Sequence, residues 1–295
     1  MTSTAANLYV RAIVTPPSHK IAVYNHGATF SCNVHGQGLT SISWIDVATA
    51  DIVQTITPSF TDYMNTLELR NVTENAIYKC QAVFSSPADI IVSDSVNVTV
   101  YNILTQPGNV TVVEGQAAMF TCEAPDSPVF TWYYDDQTEI TSGVDNTQAG
   151  LSVLELSALS ADRSVFCKAL YVPVTDTTAG GTLTSITATV TVNTILTHPT
   201  NQTVVIGYNK TLTCAGRNSP SISWLKGITP LTTGESLTLT DVTRESQDSY
   251  QCQMSWSEGS LISDKAYVKV VRTSHKKKAF KNTYKLYSKT VQSTF

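Results

Sequence analysis

The chain has 295 residues, of which 42% are hydrophobic and 14% are charged, and its formal net charge is −4. The sparse charge and the negative balance exclude the usual nucleic-acid-binding class, which needs a basic surface. The sequence contains no run of 18 apolar residues, so it offers no candidate membrane-spanning helix.

The first predicted strands alternate apolar and polar side chains, which is typical of β-strands with one buried face. The inward set of the first unit is Ala28, Phe30, Cys32, Ile42, Trp44, Leu67, Leu69, Cys80, Val96, Val98 and Val100. Each cysteine pair of the chain brackets one tryptophan in this way.

The same order recurs twice more along the chain. The second set is Ala118, Phe120, Cys122, Phe130, Trp132, Leu154, Leu156, Cys167, Ala188, Val190 and Val192. The third set is Leu212, Cys214, Ile222, Trp224, Leu237, Leu239, Cys252, Ala266, Val268 and Val270. No stretch has an apolar period of 3.6, so the sequence predicts an all-β protein with at most short helical turns.

An internal duplication sets the domain boundaries, because a shift of 92 positions carries Ile103-Leu-Thr, Asn109 and Cys122 onto Ile195-Leu-Thr, Asn201 and Cys214. We predict domains at 1–101, 102–193 and 194–272 and a tail at 273–295. The last strand of one unit leads almost directly into the first strand of the next, without a Gly/Ser spacer. We therefore expect an extended, semi-rigid rod, which a compact particle in small-angle scattering would contradict.

The third unit carries the clearest family resemblance. Ser223-Trp224-Leu225-Lys226-Gly227, Leu237-Thr-Leu239 and Asp248-Ser-Tyr250-Gln-Cys252 resemble the intermediate-set domains of the immunoglobulin superfamily. Tyr250 takes the place of the tyrosine corner, and Tyr78 matches it in the first unit. The second unit departs from the pattern, with Val165 at that position.

This resemblance implies three tandem immunoglobulin-like sandwiches of intermediate or C2 type. Trp44, Trp132 and Trp224 are then the core tryptophans. Six cysteines allow 15 pairings, and the repeated unit selects Cys32–Cys80, Cys122–Cys167 and Cys214–Cys252. Each bridge would stabilise its unit by about 4 kcal/mol on the chain-entropy model, and such bridges predict an oxidising, extracellular compartment.

Five tripeptides match the N-glycan acceptor pattern, and they agree with that compartment. Their asparagines are Asn71, Asn97, Asn109, Asn201 and Asn209. We expect three of the five to be occupied, and we expect the binding surface to lie away from them.

The tail is the most basic part of the chain. From Arg272 onward it holds seven Lys or Arg and no acidic residue, so it carries +7 and the rest −11, which sum to −4. We expect a disordered, solvated tail. The alternatives are a segment that contacts an anionic polysaccharide or a membrane surface, or non-native sequence.

The opening residues lack the apolar run of a secretory signal, which conflicts with an extracellular reading. We therefore expect the chain to be a fragment of a larger secreted or membrane-anchored protein.

No enzymatic chemistry is predicted, and no cofactor. The bridges use every cysteine, the five histidines have no metal-binding spacing, and Asp135-Asp136 supplies too few oxygens for calcium. The resemblance implies a cell-adhesion or receptor module that binds a protein partner, homophilic or heterophilic. The segment from Val172 to Thr184, with Gly180-Gly181 as a hairpin tip, is the candidate contact loop. Alternatives are a secreted immune-type recognition protein, the ectodomain of a receptor kinase or phosphatase, and an intracellular filament protein.

Overall fold

The computed structural model describes residues 10–58, 62–85, 87–172 and 180–272. The chain divides into two compact units, one that ends at Asn193 and one that begins at Thr194. Strands dominate both units, and the one helical element in the described ranges is a 3-10 turn, η1, at Arg244–Ser246. The all-β prediction is therefore confirmed. The basic tail at 273–295 lies outside the described residues.

The first sandwich lies in the first compact unit and consists of two sheets. Its strands are β1 (Ala12–Thr15), β2 (Lys20–Val23), β3 (His26–His35), β4 (Leu39–Asp46), β5 (Ile52–Ile56), β6 (Asp62–Val72), β7 (Ala76–Ser85), β8 (Ala88–Val92) and β9 (Val96–Tyr101). One sheet has the order β1-β3-β6, and the other has the order β2-β9-β7-β4-β5, with β8 paired to β7.

The second sandwich follows in the same unit and repeats this plan. Its strands are β10 (Val110–Val113), β11 (Ala118–Glu123), β12 (Val129–Tyr134), β13 (Glu139–Ile140), β14 (Val144–Asp145), β15 (Leu151–Leu156), β16 (Arg163–Tyr171), β17 (Gly181–Thr184) and β18 (Ala188–Asn193). The sheets are β11-β15-β14 and β10-β18-β16-β12-β13, with β17 paired to β16.

The third sandwich forms the second compact unit. Its strands are β19 (Ile195–Thr197), β20 (Gln202–Val205), β21 (Lys210–Thr213), β22 (Ala215–Gly216), β23 (Ser221–Lys226), β24 (Thr229–Thr233), β25 (Ser236–Leu239), β26 (Asp248–Trp256), β27 (Gly259–Ile262) and β28 (Ala266–Val271). The larger sheet is β20-β28-β26-β23-β24, with β27 paired to β26, and it faces the pairs β21-β25 and β19-β22.

Strand alternation produces each core, as the sequence predicts. Phe30, Phe120 and Leu212 are almost completely buried, and each points inward beside the first cysteine of its sandwich. Leu69, Leu239 and Val270 are only partly buried and lie at the margins of the cores. The interiors are thus the residues that alternate in the sequence, because neighbouring side chains on a strand face opposite sides of the sheet.

Each sandwich holds one disulfide between its two sheets. The bridges are Cys32–Cys80, Cys122–Cys167 and Cys214–Cys252, with Cα–Cα distances of 6.4, 6.5 and 6.6 Å, and the described residues include no free cysteine. Trp44, Trp132 and Trp224 are fully buried beside these bridges.

The first and second sandwiches pack against each other within their common unit. Val23 of β2 has no exposed surface and belongs to the core cluster of the second sandwich, against which Tyr101 also packs. The rings of Tyr101 and Tyr171 lie 5.4 Å apart, and the Tyr101 hydroxyl donates to Asp126 Oδ2 over 2.8 Å. The predicted boundary after Tyr101 therefore falls at residues that contribute to both sandwiches.

None of the described residues forms a helix that could cross a lipid bilayer.

Candidate recognition surface

The larger sheets of the three sandwiches share one strand order, so their outer faces can be compared position by position. In the first sandwich the large exposed residues of this face are aliphatic, and Lys79 and Gln81 lie between them. Ile52, Ile77, Ile90 and Val92 are 61%, 45%, 57% and 44% exposed. Asn97, the asparagine of a sequon, pairs with Ile77 on the neighbouring strand. A glycan on Asn97 would therefore stand at the β9 side of this face.

The outer face of the second sandwich carries a stacked aromatic pair with a cation above it. Tyr133 on β12 and Phe166 on β16 are paired across the strands, with ring centroids 5.6 Å apart and planes inclined by 19°. Lys168 Nζ lies 4.4 Å from the Tyr133 centroid and 5.6 Å from the Phe166 centroid. An ammonium at this distance from an aromatic face is held by the ring quadrupole while it still faces solvent.

Two exposed aliphatic residues extend this surface along the same strands. Val129 and Leu170 are paired, and they are 57% and 43% exposed. We define the recognition surface as Val129, Tyr133, Lys168 and Leu170, with the buried Phe166 stacked against Tyr133. No sequon lies on β12, β16 or β17.

The outer face of the third sandwich is mixed, with Tyr267 and Ile262 44% and 56% exposed, an exposed Lys269, and serines and a glutamine on the central strands. Ser223 pairs with Gln253, and Ser221 pairs with Ser255. Among the described residues of the three faces, only that of the second sandwich holds a stacked aromatic pair with a cation over it.

The candidate contact loop is shorter in the structure than the sequence predicts. Gly181 begins β17, which pairs with β16 through Thr184, so residues 181–184 are a strand and Gly180-Gly181 is not the hairpin tip. The sequence did not predict this strand, because Gly and Thr dominate the segment and the alternation of Thr182 and Thr184 gives no apolar pattern. Val172 is 59% exposed beside the recognition surface, and residues 173–179 lie outside the described ranges.

The tyrosine corner is formed in the third sandwich. The Tyr250 hydroxyl donates to the Ser246 carbonyl over 2.9 Å, and burial followed by the charge of Asp248 raises the pKa of Tyr250. Tyr78 is buried in the first sandwich with its ring 5.8 Å from Phe30, but its hydroxyl has no hydrogen-bond partner among the described residues. Val165 fills the corresponding place in the second sandwich with no exposed surface.

The core tryptophans differ in the partner of the indole nitrogen. Trp132 Nε1 donates to Ser152 Oγ over 2.8 Å, and Trp224 Nε1 donates to the Gly234 carbonyl over 2.9 Å. Trp44 Nε1 is buried without a partner in the described part of the chain. The sequence alone did not reveal this difference.

All five sequon asparagines are exposed. The side chains of three of them also form a hydrogen bond with the backbone. The side-chain oxygens of Asn109, Asn201 and Asn209 accept from the backbone N–H groups of Thr189, Tyr267 and Asp241. In each case the oxygen is engaged, and the amide nitrogen, to which a glycan would attach, is not the atom used.

Sequence reasoning missed a serine that recurs before the last strand of every sandwich and is buried in the second and third. The hydroxyls of Ser93, Ser185 and Ser263 accept from the backbone N–H of Cys80, Cys167 and Cys252 over 2.9, 2.9 and 3.0 Å. Each serine N–H also donates to the carbonyl of the same cysteine. The signal was present as a serine three residues before Val96, Ala188 and Ala266.

The polar residues weighed for metal binding have structural contacts instead. Asp135-Asp136 forms an exposed turn, in which the hydrogen bond from the Thr138 N–H lowers the pKa of Asp136. His19 Nδ1 and His198 Nδ1 accept backbone N–H groups of Asn97 and Asp264. No cluster of three potential metal ligands occurs among the described residues.

Comparisons with known proteins agree with this architecture. The immunoglobulin domain family matches residues 193–270. Hemicentin-1 of Mus musculus is 32% identical over 176 residues, which is 53% of this chain. The chain spans only 3% of the length of hemicentin-1.

The chain is also similar to solved structures of tandem domains. Titin domains I67–I69 are 19% identical, with 90% of this chain and 100% of the titin chain covered and a TM-score of 0.44. Extracellular domains 3–5 of Drosophila OTK are 16% identical, with 88% and 97% covered and a TM-score of 0.32. The immunoglobulin domain family is thus matched in the third sandwich, and the three disulfide-linked sandwiches give the chain the architecture of tandem immunoglobulin-like domains.

Proposed function

We propose that this chain is a non-catalytic, extracellular protein-recognition module of the cell-adhesion or cell-surface type. The observation that carries the proposal is the recognition surface of the second sandwich, where Lys168 stands over the stacked rings of Tyr133 and Phe166 on strands without a sequon. Aromatic residues are enriched at the energetic centres of protein interfaces.

The charge of the surface indicates the chemistry of its partner. Lys168 is partly exposed between aliphatic Leu170 and the rings, so a complementary patch would set a carboxylate beside apolar side chains. Such pairing fixes orientation and increases the association rate more than it increases the affinity. Homophilic binding would require the same chain to present an acidic patch, whereas a heterophilic partner has no such constraint.

Two features support the extracellular part of the proposal. Three disulfides persist in oxidising compartments, and five exposed sequons suit a secreted surface. The likeness to hemicentin-1 covers about half of the chain and is compatible with a segment of a longer extracellular protein. A secreted immune-type recognition protein and a receptor ectodomain share these features. The sandwich hosts many functions, so the proposal depends on the surface and not on the fold.

The test uses fluorescent beads that carry many copies of the secreted chain. Their binding is measured to other beads that carry the same chain and to a panel of cells. The double variant Tyr133→Ala with Lys168→Glu removes the exposed aromatic ring and reverses the charge, while the buried Phe166 is unchanged. We expect at least a tenfold loss of binding. The matched control is Tyr267→Ala with Lys269→Glu on the outer face of the third sandwich, which should bind like the unchanged chain.

Three results would contradict the proposal. These are equal binding by the two variants, absence of binding by the unchanged chain to beads and cells, and a chain that stays in the cytosol with reduced cysteines. Circular dichroism of both variants establishes that the sandwiches are intact.

A further inference from the structure

The third sandwich has an open sheet edge at a position where the second sandwich has a strand. In the second sandwich β14 covers the edge of β15, with Val144 paired to Leu154 and Asp145 paired to Val153. In the third sandwich the corresponding sheet is the pair β21-β25, and no strand of residues 180–272 lies on the other side of β25.

Residue equivalences follow from the internal duplication. The shift of 92 carries Phe120 onto Leu212, and these residues pair with Leu154 and Leu237. Leu237 thus stands where Leu154 stands, and Thr238 stands where Glu155 stands. The connection explains the difference, since only residues 234 and 235 separate β24 from β25, while residues 141–150 separate β13 from β15 and supply β14.

The backbone groups of Thr238 face the open edge. Cys214 N–H bonds to the Glu235 carbonyl, and neighbouring residues in an antiparallel strand direct their backbone groups to opposite sides. Glu235, Leu237 and Leu239 therefore face β21, while Ser236 and Thr238 face away from it. In the second sandwich the equivalent Glu155 N–H donates to the Gly143 carbonyl over 2.8 Å.

A groove runs along this edge between β24 and β25. It is open to solvent, has a volume of about 570 Å³ and is lined by Leu231, Thr232, Ser236, Leu237, Thr238, Leu239, Thr240 and Ser246. None of its lining residues is charged, and β25 has neither the lysine nor the proline that commonly protects an exposed edge. The groove thus offers backbone groups that β21 does not use, a mixed lining of leucine and hydroxyl side chains, and no charge that would repel a neutral strand.

We propose that the third sandwich binds an extended peptide segment of a protein partner by β-strand addition to β25, a mode in which main-chain hydrogen bonds supply affinity and side-chain pockets supply specificity. The segment within the chain that occupies the equivalent edge defines the chemistry of the ligand. It presents one β-branched aliphatic residue, Val144, which packs against the core, and a preceding glycine, where an added Cβ would collide with the Glu155 carbonyl. The proposal rests on protein recognition as the function, but it names a different sandwich and a different ligand form.

The test uses the full chain and a synthetic heptapeptide with the sequence of residues 141–147, Thr-Ser-Gly-Val-Asp-Asn-Thr. We expect saturable NMR shifts at the amides of Ser236 and Thr238, slower hydrogen exchange at Thr238, and a Kd of about 1 mM, as suits a short flexible peptide. The control peptide carries Val144→Asp and should bind at least tenfold more weakly.

Two protein variants locate the site. Thr238→Pro removes the N–H that faces the groove and keeps those that bond to β21, so it should abolish binding while the Leu237 amide signal stays native. Leu231→Lys places a charge in the groove from β24 and should weaken binding tenfold without altering β25. The variant Tyr133→Ala with Lys168→Glu should bind the peptide normally, which separates failure of this proposal from failure of the recognition surface.

Several results would overturn the proposal. Shifts that are absent at 10 mM peptide (roughly ten times the expected Kd), or confined to residues outside the groove, would exclude peptide binding at β25. Slow exchange of Thr238 in the free protein would show that the edge is already covered. Dependence of that protection on protein concentration would assign the cover to a second copy, and independence would assign it to the chain itself.

Discussion

At the scale of single residues, the first and third sandwiches bury a tyrosine at the same position but use it differently. Tyr250 ties the entry of β26 to the Ser246 carbonyl, whereas Tyr78 packs on Phe30 without such a bond. Removal of a hydroxyl that makes an intramolecular hydrogen bond costs about 1 kcal/mol. Removal of one without a partner costs less, because no bond is lost.

We therefore expect Tyr250→Phe to lower the free energy of unfolding of the third sandwich by about 1 kcal/mol, and Tyr78→Phe to leave the first sandwich within about 0.5 kcal/mol of its original value. Native-state hydrogen exchange of β26 and β7 in the full chain measures both. Equal losses in the two sandwiches would show that the corner bond is not the source of the effect.

Tyr101 links residue chemistry to pH. Its burial, and then its hydrogen bond to Asp126, raise the pKa of Tyr101 to about 12 from an ordinary value of 10.0. The folded state thus holds the proton more tightly than the unfolded chain. This contribution to stability is fully present below pH 10 and is lost as the pH rises towards 12.

We expect the first compact unit to lose stability between pH 10 and about 12. The Tyr101→Phe variant should lose less stability over the same pH range. Asp126→Asn should lower the raised pKa of Tyr101 only in part, because burial, the larger cause of the shift, remains. Tyrosinate absorbance and denaturant unfolding measured across this pH range check both statements. An identical alkaline loss in the Tyr101→Phe chain would contradict the assignment.

At the scale of elements, each final strand is preceded by a serine whose hydroxyl accepts the backbone N–H of the second cysteine of its sandwich. Ser185 is 8% exposed, and its hydroxyl accepts the Cys167 N–H and donates to the Ile186 carbonyl. The serine thereby satisfies a backbone group beside the disulfide, where β17 ends and the chain turns into β18.

Ser185→Ala should destabilise the second sandwich by about 1–3 kcal/mol, since it leaves the buried Cys167 N–H without an acceptor. The control Ser157→Ala changes an exposed serine of the same sandwich and should have little effect. Urea unfolding followed by hydrogen exchange in β16 distinguishes them. Similar values for the two variants would exclude the serine as a structural requirement.

The elements also show what the sequence could and could not predict. Alternation at Phe120 and Cys122 predicted burial, because one sheet face is apolar along its whole length. The role of Ser185 was not predictable in this way, since a hydroxyl that bonds to backbone has no hydrophobic period. The stacking of Lys168 on Tyr133 and the open edge at Thr238 depend on which strands become neighbours, and a single strand does not encode its neighbour.

At the scale of the whole molecule, the first compact unit contains two sandwiches that share buried residues. Val23 lies on β2 of the first sandwich, but it is fully buried in the core cluster of the second. Val34 is also fully buried, but it belongs to the core cluster of the first sandwich. The extended arrangement of all three sandwiches stays a prediction from the short sequences between them.

These two valines provide a matched test of coupling within the first unit. Val23→Ala and Val34→Ala remove the same atoms and should each cost about 2 kcal/mol, from lost burial and an unfilled cavity. We expect Val23→Ala to increase hydrogen exchange in β11 and β16 of the second sandwich, although the change lies in the first. Val34→Ala should affect β3 and β7 alone. Exchange that is unchanged in the second sandwich of the Val23→Ala chain would mean that the two sandwiches unfold independently, because a shared core residue must transmit its loss to the core that it fills.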